Sequence, residues 1–508
     1  MTKDGHRRVG RGIRSALWLG VLLGLTGTAY GQVETKLTAS DAAADDVFGI
    51  SVSLDGDRAI VGAYQGGAGG TSTGSAYLFR RNGARWVEES KLMPSDGVFD
   101  DRFGVSVSLR GDRVLIGASG DDDAGYTAGS AYLFRFDGGA WVEEAELMAG
   151  DAVEDARFGS SVALSDDRAV IGASRDDDAG DAAGAVYIFE REDTMWVETA
   201  KLTASDAAVN DRFGASVSQR GDRILVGAYL DDDNGSVSGA AYVFEFDGTA
   251  WVETAKLTAG DAGSGDRFGY SVSLDGDRAL IGAHGDRSES GSAYVFRFDG
   301  TSWVEEAKLR ANDAASNDNF GVAVSLSGDG ALIGAWGNAD AGLVTGSAYL
   351  FRLEGTAWEQ EAKIVPDDAA AGDGFGLSVA LDGEGMLIGA YGDDDAGLSS
   401  GAAYLFEPMI NVAIDDAAAV PTTYSLHPNY PNPFNPETVL RFDLPQAAHA
   451  RLIIYDMMSR EVARLLDTPL GAGTHAVTWQ AEGLPSGVYV YRLETGAYSA
   501  ARTMVLFR

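Results

Sequence analysis

The chain has 508 residues and no cysteine, and its 76 Asp and Glu outnumber 39 Lys and Arg to give a formal net charge of −37. No disulfide holds such a fold, and so large a negative charge disfavours nucleic acid and anionic membrane surfaces as partners. The excess is local: from Thr423 onward seven acidic residues meet seven arginines, so all of it lies earlier.

Residues 1–31 carry Lys3, Arg7, Arg8, Arg11 and Arg14, then the apolar run ALWLGVLLGL, then small residues around Tyr30. That order predicts a secretory signal peptide. No later stretch approaches the roughly eighteen apolar residues of a membrane-spanning helix, so no transmembrane segment is expected.

Residues 32–410 are organised by a repeat whose seven copies begin at Lys36, Lys91, Glu146, Lys201, Lys256, Lys308 and Lys363, with a period of 55 except for the fifth copy, three residues shorter. Each copy must be one supersecondary unit that buries its apolar faces against its neighbours. In the second copy, Phe103–Leu109 and Arg113–Ser119 read as strands joined by the tight turn Arg110-Gly111-Asp112. A third strand runs Ser130–Phe136 and a fourth starts at Trp141, with no capped helical period between them. Four strands repeated seven times predict an all-β seven-bladed β-propeller. Gln32–Thr38 resembles the end of a fourth strand, which the seventh copy lacks. Val33–Thr38 is therefore expected to complete the blade of Phe375–Phe406 and close the ring, removing two open edges.

Trp86, Trp141, Trp196, Trp251, Trp303 and Trp358 open the fourth strands and are expected to pack between blades. Gly70–Gly74 spells a serine-hydrolase elbow but falls in a loop between strands, and the Arg-Gly-Asp triplets at 110–112 and 220–222 read as hairpin chemistry.

Acid gathers in two connections of each copy. The link into the first strand holds Asp41, Asp96, Asp151, Asp206, Asp261, Asp313 and Asp368, with Asp46, Asp101, Asp211, Asp266, Asp318 and Asp373 behind them. The loop from the second strand to the third holds Asp121, Asp122 and Asp123; Asp176, Asp177 and Asp178; Asp231, Asp232 and Asp233; and Asp393, Asp394 and Asp395. In an up-and-down blade both connections emerge on one face, which should be strongly acidic. The four triplets are the candidate metal ligands and calcium the candidate ion, because hard carboxylate oxygens suit it. Water and mobile sodium screening the exposed charges is the competing reading.

Residues 411–423 form a small-residue linker. Residues 424–508 change composition, with a proline cluster and then short alternating strands, and predict a small Ig-like β-sandwich.

Two family resemblances follow. Phe48-Gly49, Phe103-Gly104, Phe158-Gly159, Phe213-Gly214, Phe268-Gly269, Phe320-Gly321 and Phe375-Gly376, each followed by Gly-Ala as at Gly62-Ala63 and Gly117-Ala118, resemble the FG-GAP repeats of integrin α-chain propellers. That family places calcium in a long loop between the first two strands; here the link is a short turn, and calcium is not carried over to it. Tyr430-Pro431-Asn432-Pro433-Phe434-Asn435-Pro436, Tyr455-Asp456, Arg460-Glu461-Val462, Gly471–His475, Ser486-Gly487-Val488-Tyr489 and Met504-Val505-Leu506 resemble the C-terminal sorting domain of type IX secretion cargo. The resemblance implies export to the outer-membrane surface or beyond, with the type IX machinery as a partner.

Four histidines follow residue 31, only His284 lies in a blade, and no Gly-rich phosphate loop precedes a helix. The expected function is non-enzymatic: a secreted or cell-surface binding or adhesion propeller for an extracellular protein or glycan. The alternative is a carbohydrate-active or other hydrolytic propeller with catalytic carboxylates on the acidic face.

Overall fold

The computed structural model describes residues 32–408 apart from 67–71, 84 and 341, and residues 423–507 apart from 428, 430–433, 435, 459, 482–483 and 497. The expected signal peptide, nearly all of the linker, the first two residues of the elbow-like Gly70–Gly74 and much of the proline cluster lie outside the described residues. The chain divides into two compact units, Met1–Met409 and Ile410–Arg508.

The first unit is seven four-stranded antiparallel sheets. In blade 2 the strands are Phe103–Arg110, Arg113–Ala118, Ser130–Phe136 and Trp141–Leu147, within a residue of the expected boundaries. The first strands touch one another around a closed circle, from Ser51–Asp55 through Phe375–Asp382 and back, so they are the inner strands. Blade 7 takes its outer strand from the start of the chain: Gln32–Leu37 pairs antiparallel with Ala402–Pro408, Lys36 opposite Tyr404. The expected closure is present. Leu37, Leu387 and Leu405 share one core with Phe48, Val61, Tyr77 and Trp86 of blade 1, so the joint is packed like any other.

The Phe-Gly and Gly-Ala pairs have a physical reason. Phe103 is fully buried, with its ring edge-on to Tyr132 at 5.5 Å and to Phe134 at 6.1 Å. A Cβ on Gly117 would stand 2.0 Å from the carbonyl oxygen of Gly159 in blade 3. That same oxygen accepts the Ser106 hydroxyl at 2.9 Å. Gly159 has φ +84, a region L side chains avoid. One glycine of each pair thus lets a neighbouring backbone approach, and the other makes the turn that presents it. Trp141 packs between blades as expected: its Nε1 donates to Glu89 of blade 1 at 3.1 Å, and the Arg58 guanidinium lies over its ring at 5.3 Å. Arg110 to Arg113 and Arg220 to Arg223 are hairpin turns, with Gly111 and Gly221 at φ +57 and +59.

The second unit is a β-sandwich. A three-stranded sheet of Ser425–Leu426, Glu437–Leu444 and Gly473–Gln480 faces a four-stranded sheet of Glu461–Leu470, Ala448–Asp456, Gly487–Glu494 and Ser499–Leu506. Leu440 and Phe442 from one sheet and Leu452, Ile454, Tyr491 and Leu493 from the other form a single core. Among the described residues, no helix is long and apolar enough to cross a membrane.

Candidate functional site

The two acidic connections meet, as the up-and-down topology requires, at a tyrosine of the third strand. Tyr132 reaches Asp96 at 3.0 Å and Asp121 at 2.9 Å; Tyr187 reaches Asp151 and Asp176, Tyr242 reaches Asp206 and Asp231, and Tyr404 reaches Asp368 and Asp393, all within 2.7–2.9 Å. The hydroxyls of Tyr77, Tyr294 and Tyr349 bond to Asp41, Asp261 and Asp313.

The members of each triplet divide into three roles. Asp121, Asp176, Asp231 and Asp393 are buried, and each accepts the backbone N–H two residues on, at 3.0–3.2 Å, which shapes the loop. Asp122, Asp177, Asp232 and Asp394 are exposed. Asp178, Asp233 and Asp395 pair with a lysine of the outer strand. Lys201 lies 2.9 Å from Asp151, 3.0 Å from Asp176 and 2.5 Å from Asp178. Lys256 and Lys36 repeat that arrangement on Asp206, Asp231 and Asp233, and on Asp368, Asp393 and Asp395. Burial opposes the charge of these lysines, but their carboxylate partners outweigh it and hold them protonated well above the usual lysine range. Asp151 and Asp206 respond in kind: burial pushes them up, and the lysine and tyrosine hydrogen bonds more than reverse it. Asp123 has no such lysine; it stands with Asp96 and Glu146, one carboxylate oxygen of each lying within 4.8 Å of the others.

The second set of link aspartates proves structural. Asp101 and Asp211 are buried and accept the backbone N–H of Val98 and Ala208 at 2.5 and 2.7 Å. Burial, above all, pushes both carboxyls up to about 6.

The residues that line the axis on this face were not singled out by the sequence. The position after each Gly-Ala lies just past the end of the second strand, and it changes from copy to copy: Tyr64, Ser119, Ser174, Tyr229, His284, Trp336 and Tyr391. A cavity of about 470 Å³ opens among Tyr64, Arg102, Ser119, Arg157, Ser160 and Ser174. The Arg157 Nε is sealed and has no hydrogen-bond partner. Burial and then the neighbouring Arg175, Arg102 and Arg212 hold its pKa below the usual arginine value. Arg175 and Arg157 share Asp155 at 2.7 and 3.6 Å and Arg102 pairs with Asp100 at 3.1 Å, so the arginines outnumber these carboxylate partners there. Aromatic rings sit on other blades: Tyr229 lies 5.2 Å from Tyr270, Tyr270 lies 4.2 Å from His284, and Trp336 lies 6.4 Å from Tyr391. His284 is buried beside the Arg267 guanidinium at 3.0 Å. Burial first, then that charge, depresses its pKa to about 4 and keeps it neutral.

At the opposite end of the axis, hairpins of all seven blades surround a cavity of about 770 Å³. Leu54, Leu109, Leu164, Leu274, Leu326 and Leu381 ring it, and Gln219 replaces the leucine in blade 4.

The architecture is that of a seven-bladed propeller carrying a separate export module. Residues 32–79, 86–134, 141–189, 196–244, 251–296, 303–351 and 358–406 match the FG-GAP repeat family, and the chain belongs to it. Residues 429–506 match the secretion system C-terminal sorting domain. That domain marks the chain for type IX export to the cell surface or the extracellular space and implies contact with the type IX machinery. No curated protein sequence matches the chain. Among solved structures it is similar to PorZ, an essential bacterial surface component of the type IX secretion system of Porphyromonas gingivalis, with 14% identity, a TM-score of 0.45, and 93% of this chain and 61% of that one covered. The chain thus spans about three fifths of the length of PorZ. It is also similar to Sqt1 from Chaetomium thermophilum (13% identity, TM-score 0.42, 70% and 83% covered). The β-propeller domain of the Trilobed protease from Pyrococcus furiosus is a further likeness (12% identity, TM-score 0.38, 67% and 90% covered).

Proposed function

We propose that the propeller is a non-enzymatic binding or adhesion module, displayed at the surface or released, and that it takes an anionic extracellular glycan at the axial end of its acidic face. The observation that carries this reading is the cluster of Arg102, Arg157, Arg175 and Arg212 beside a cavity on an otherwise strongly acidic body. Blade cores repeat almost residue for residue, whereas the axial positions differ from blade to blade, as an asymmetric ligand requires. Guanidinium forks suit the carboxylates or sulfates of an acidic sugar, and the aromatic rings of Tyr64, Tyr229, Trp336 and Tyr391 offer faces on which sugar rings stack.

A hydrolytic reading has one observation in its favour. Burial, and then Asp96, Asp121 and Asp123, push Glu146 up to about 7, the range of a general acid. Three crowded carboxylates around it and its place on an outer strand, away from the axial cavity, favour binding instead. The test is an array of glycans and matrix proteins probed with the purified chain and with Arg157→Ser. Retention of uronic or sulfated glycans by the wild type, lost in the variant, supports the proposal. Retention of acidic matrix proteins alone would exclude a glycan ligand, and turnover of an arrayed glycan would favour the hydrolase.

A further inference from the structure

One position in each blade carries a cation, except in blade 2. Across the third and outer strands, Tyr77, Tyr187, Tyr242, Tyr294, Tyr349 and Tyr404 stand opposite Lys91, Lys201, Lys256, Lys308, Lys363 and Lys36. Tyr132, at the same register, stands opposite Glu146. In every other blade the ammonium contacts the link aspartate, and in most of them an aspartate of the second loop as well: Lys308 lies 2.7 Å from both Asp261 and Asp286. These six ammonium groups fix one cation position among the carboxylates of each blade.

Blade 2 keeps the carboxylates and inverts the cation. Asp96, Asp121 and Asp123 hold the positions that Asp151, Asp176 and Asp178 hold around Lys201, and Glu146 adds a fourth negative group in place of the ammonium. A second observation is independent of the clustering: the Glu146 Oε1 is sealed from solvent and has no hydrogen-bond partner. A buried carboxylate oxygen without a donor is destabilising, and a bound cation removes that penalty. We infer that blade 2 binds one divalent cation, calcium, through Asp96, Asp123 and Glu146 with Asp121 bordering it, at the place the other blades fill with lysine. The spacing suits the ion. Two oxygens on one calcium, each about 2.3–2.6 Å from it, lie at most ~5 Å apart, and the three carboxylates present oxygens within 4.8 Å of one another. Water completes a shell of about six to eight oxygens. Burial first, and then Asp96, Asp121 and Asp123, raise the Glu146 pKa, and Asp121 above all raises that of Asp123, as carboxylates without a cation among them do. This inference does not rest on the axial glycan.

Calorimetric titration of calcium chloride into the chelator-treated full chain at pH 8 and 0.15 M sodium chloride tests it. The wild type should show one saturable site per chain. Glu146→Lys, which installs the residue the other six blades carry, should abolish it, and Glu146→Gln should weaken it at least tenfold. No saturable heat at millimolar calcium, or one site persisting in Glu146→Lys, would overturn the assignment.

Discussion

Gly117→Ala should destabilise the propeller far more than an added methyl group ordinarily does. The new Cβ would stand 2.0 Å from the Gly159 carbonyl oxygen and 2.4 Å from the Ser106 Oγ. Neither atom is the end of a long flexible chain: one is backbone of the next blade, and the other is bonded to it at 2.9 Å. Making room parts blades 2 and 3 at their inner strands. The lost Ser106 hydrogen bond costs about 1 kcal/mol, and overpacking a filled core costs about 1–3 kcal/mol more, so roughly 2–4 kcal/mol is expected. An unfolding entropy of about 2.1 cal/mol/K per residue, taken over residues 32–408, converts this into a fall in Tm of about 3–5 °C. Gly139→Ala is the control: the nearest atom to its added Cβ is the Asp137 Oδ1 at 3.6 Å, in an exposed turn of the same blade, and its cost should stay within about 0.5 kcal/mol. Differential scanning calorimetry of the two variants decides the matter. A Gly117→Ala melt within 1 °C of wild type, or equal losses in both variants, would refute close backbone approach as the reason for the Gly-Ala pair.

Deleting residues 32–40 removes the outer strand of blade 7, the buried Leu37 and the Lys36 contacts to Asp368, Asp393 and Asp395; Tm should fall strongly, and an unchanged melt would count against closure by this strand. In chelator, wild type should lose stability relative to Glu146→Gln between pH 5 and pH 8. The folded pKa of about 7 exceeds the ordinary 4.5, so between those values the native state holds a proton that the unfolded state has released, and its advantage disappears as pH rises. After discounting for solvent screening the difference is about 1 kcal/mol, and a pH-independent gap in urea midpoints would contradict it. A chain ending after Ala419 should accumulate in the periplasm of its host, whereas normal surface display would deny the sorting role of residues 429–506.

The sequence made the fold legible because each strand signal recurs seven times in register. Phe103 and Tyr132, or Gly111 between two apolar runs, would be weak evidence alone. Even closure could be read, since Gln32–Leu37 supplies the outer strand that the chain after Ala402–Pro408 does not. The same regularity hid the sites. The triplet Asp176, Asp177 and Asp178 looks like three ligands, yet the structure gives its members three tasks: one shapes a loop, one is exposed and one pairs with Lys201. Lys201 lies 23 residues from Asp178 and 50 from Asp151, so only strand pairing brings it to both. The exchange of lysine for Glu146 is visible as one unlike letter at the start of the third copy. Its meaning depends on register: shifted by one residue, Glu146 would turn away from Tyr132 and the acids around it. The axial arginines stayed hidden for a related reason. Arg102, Arg157, Arg212 and Arg267 recur at the repeat period immediately before four of the seven Phe-Gly pairs and look structural in the sequence, and only the circle of inner strands turns that spacing of 55 residues into the neighbouring cations Arg102, Arg157 and Arg212 beside one cavity.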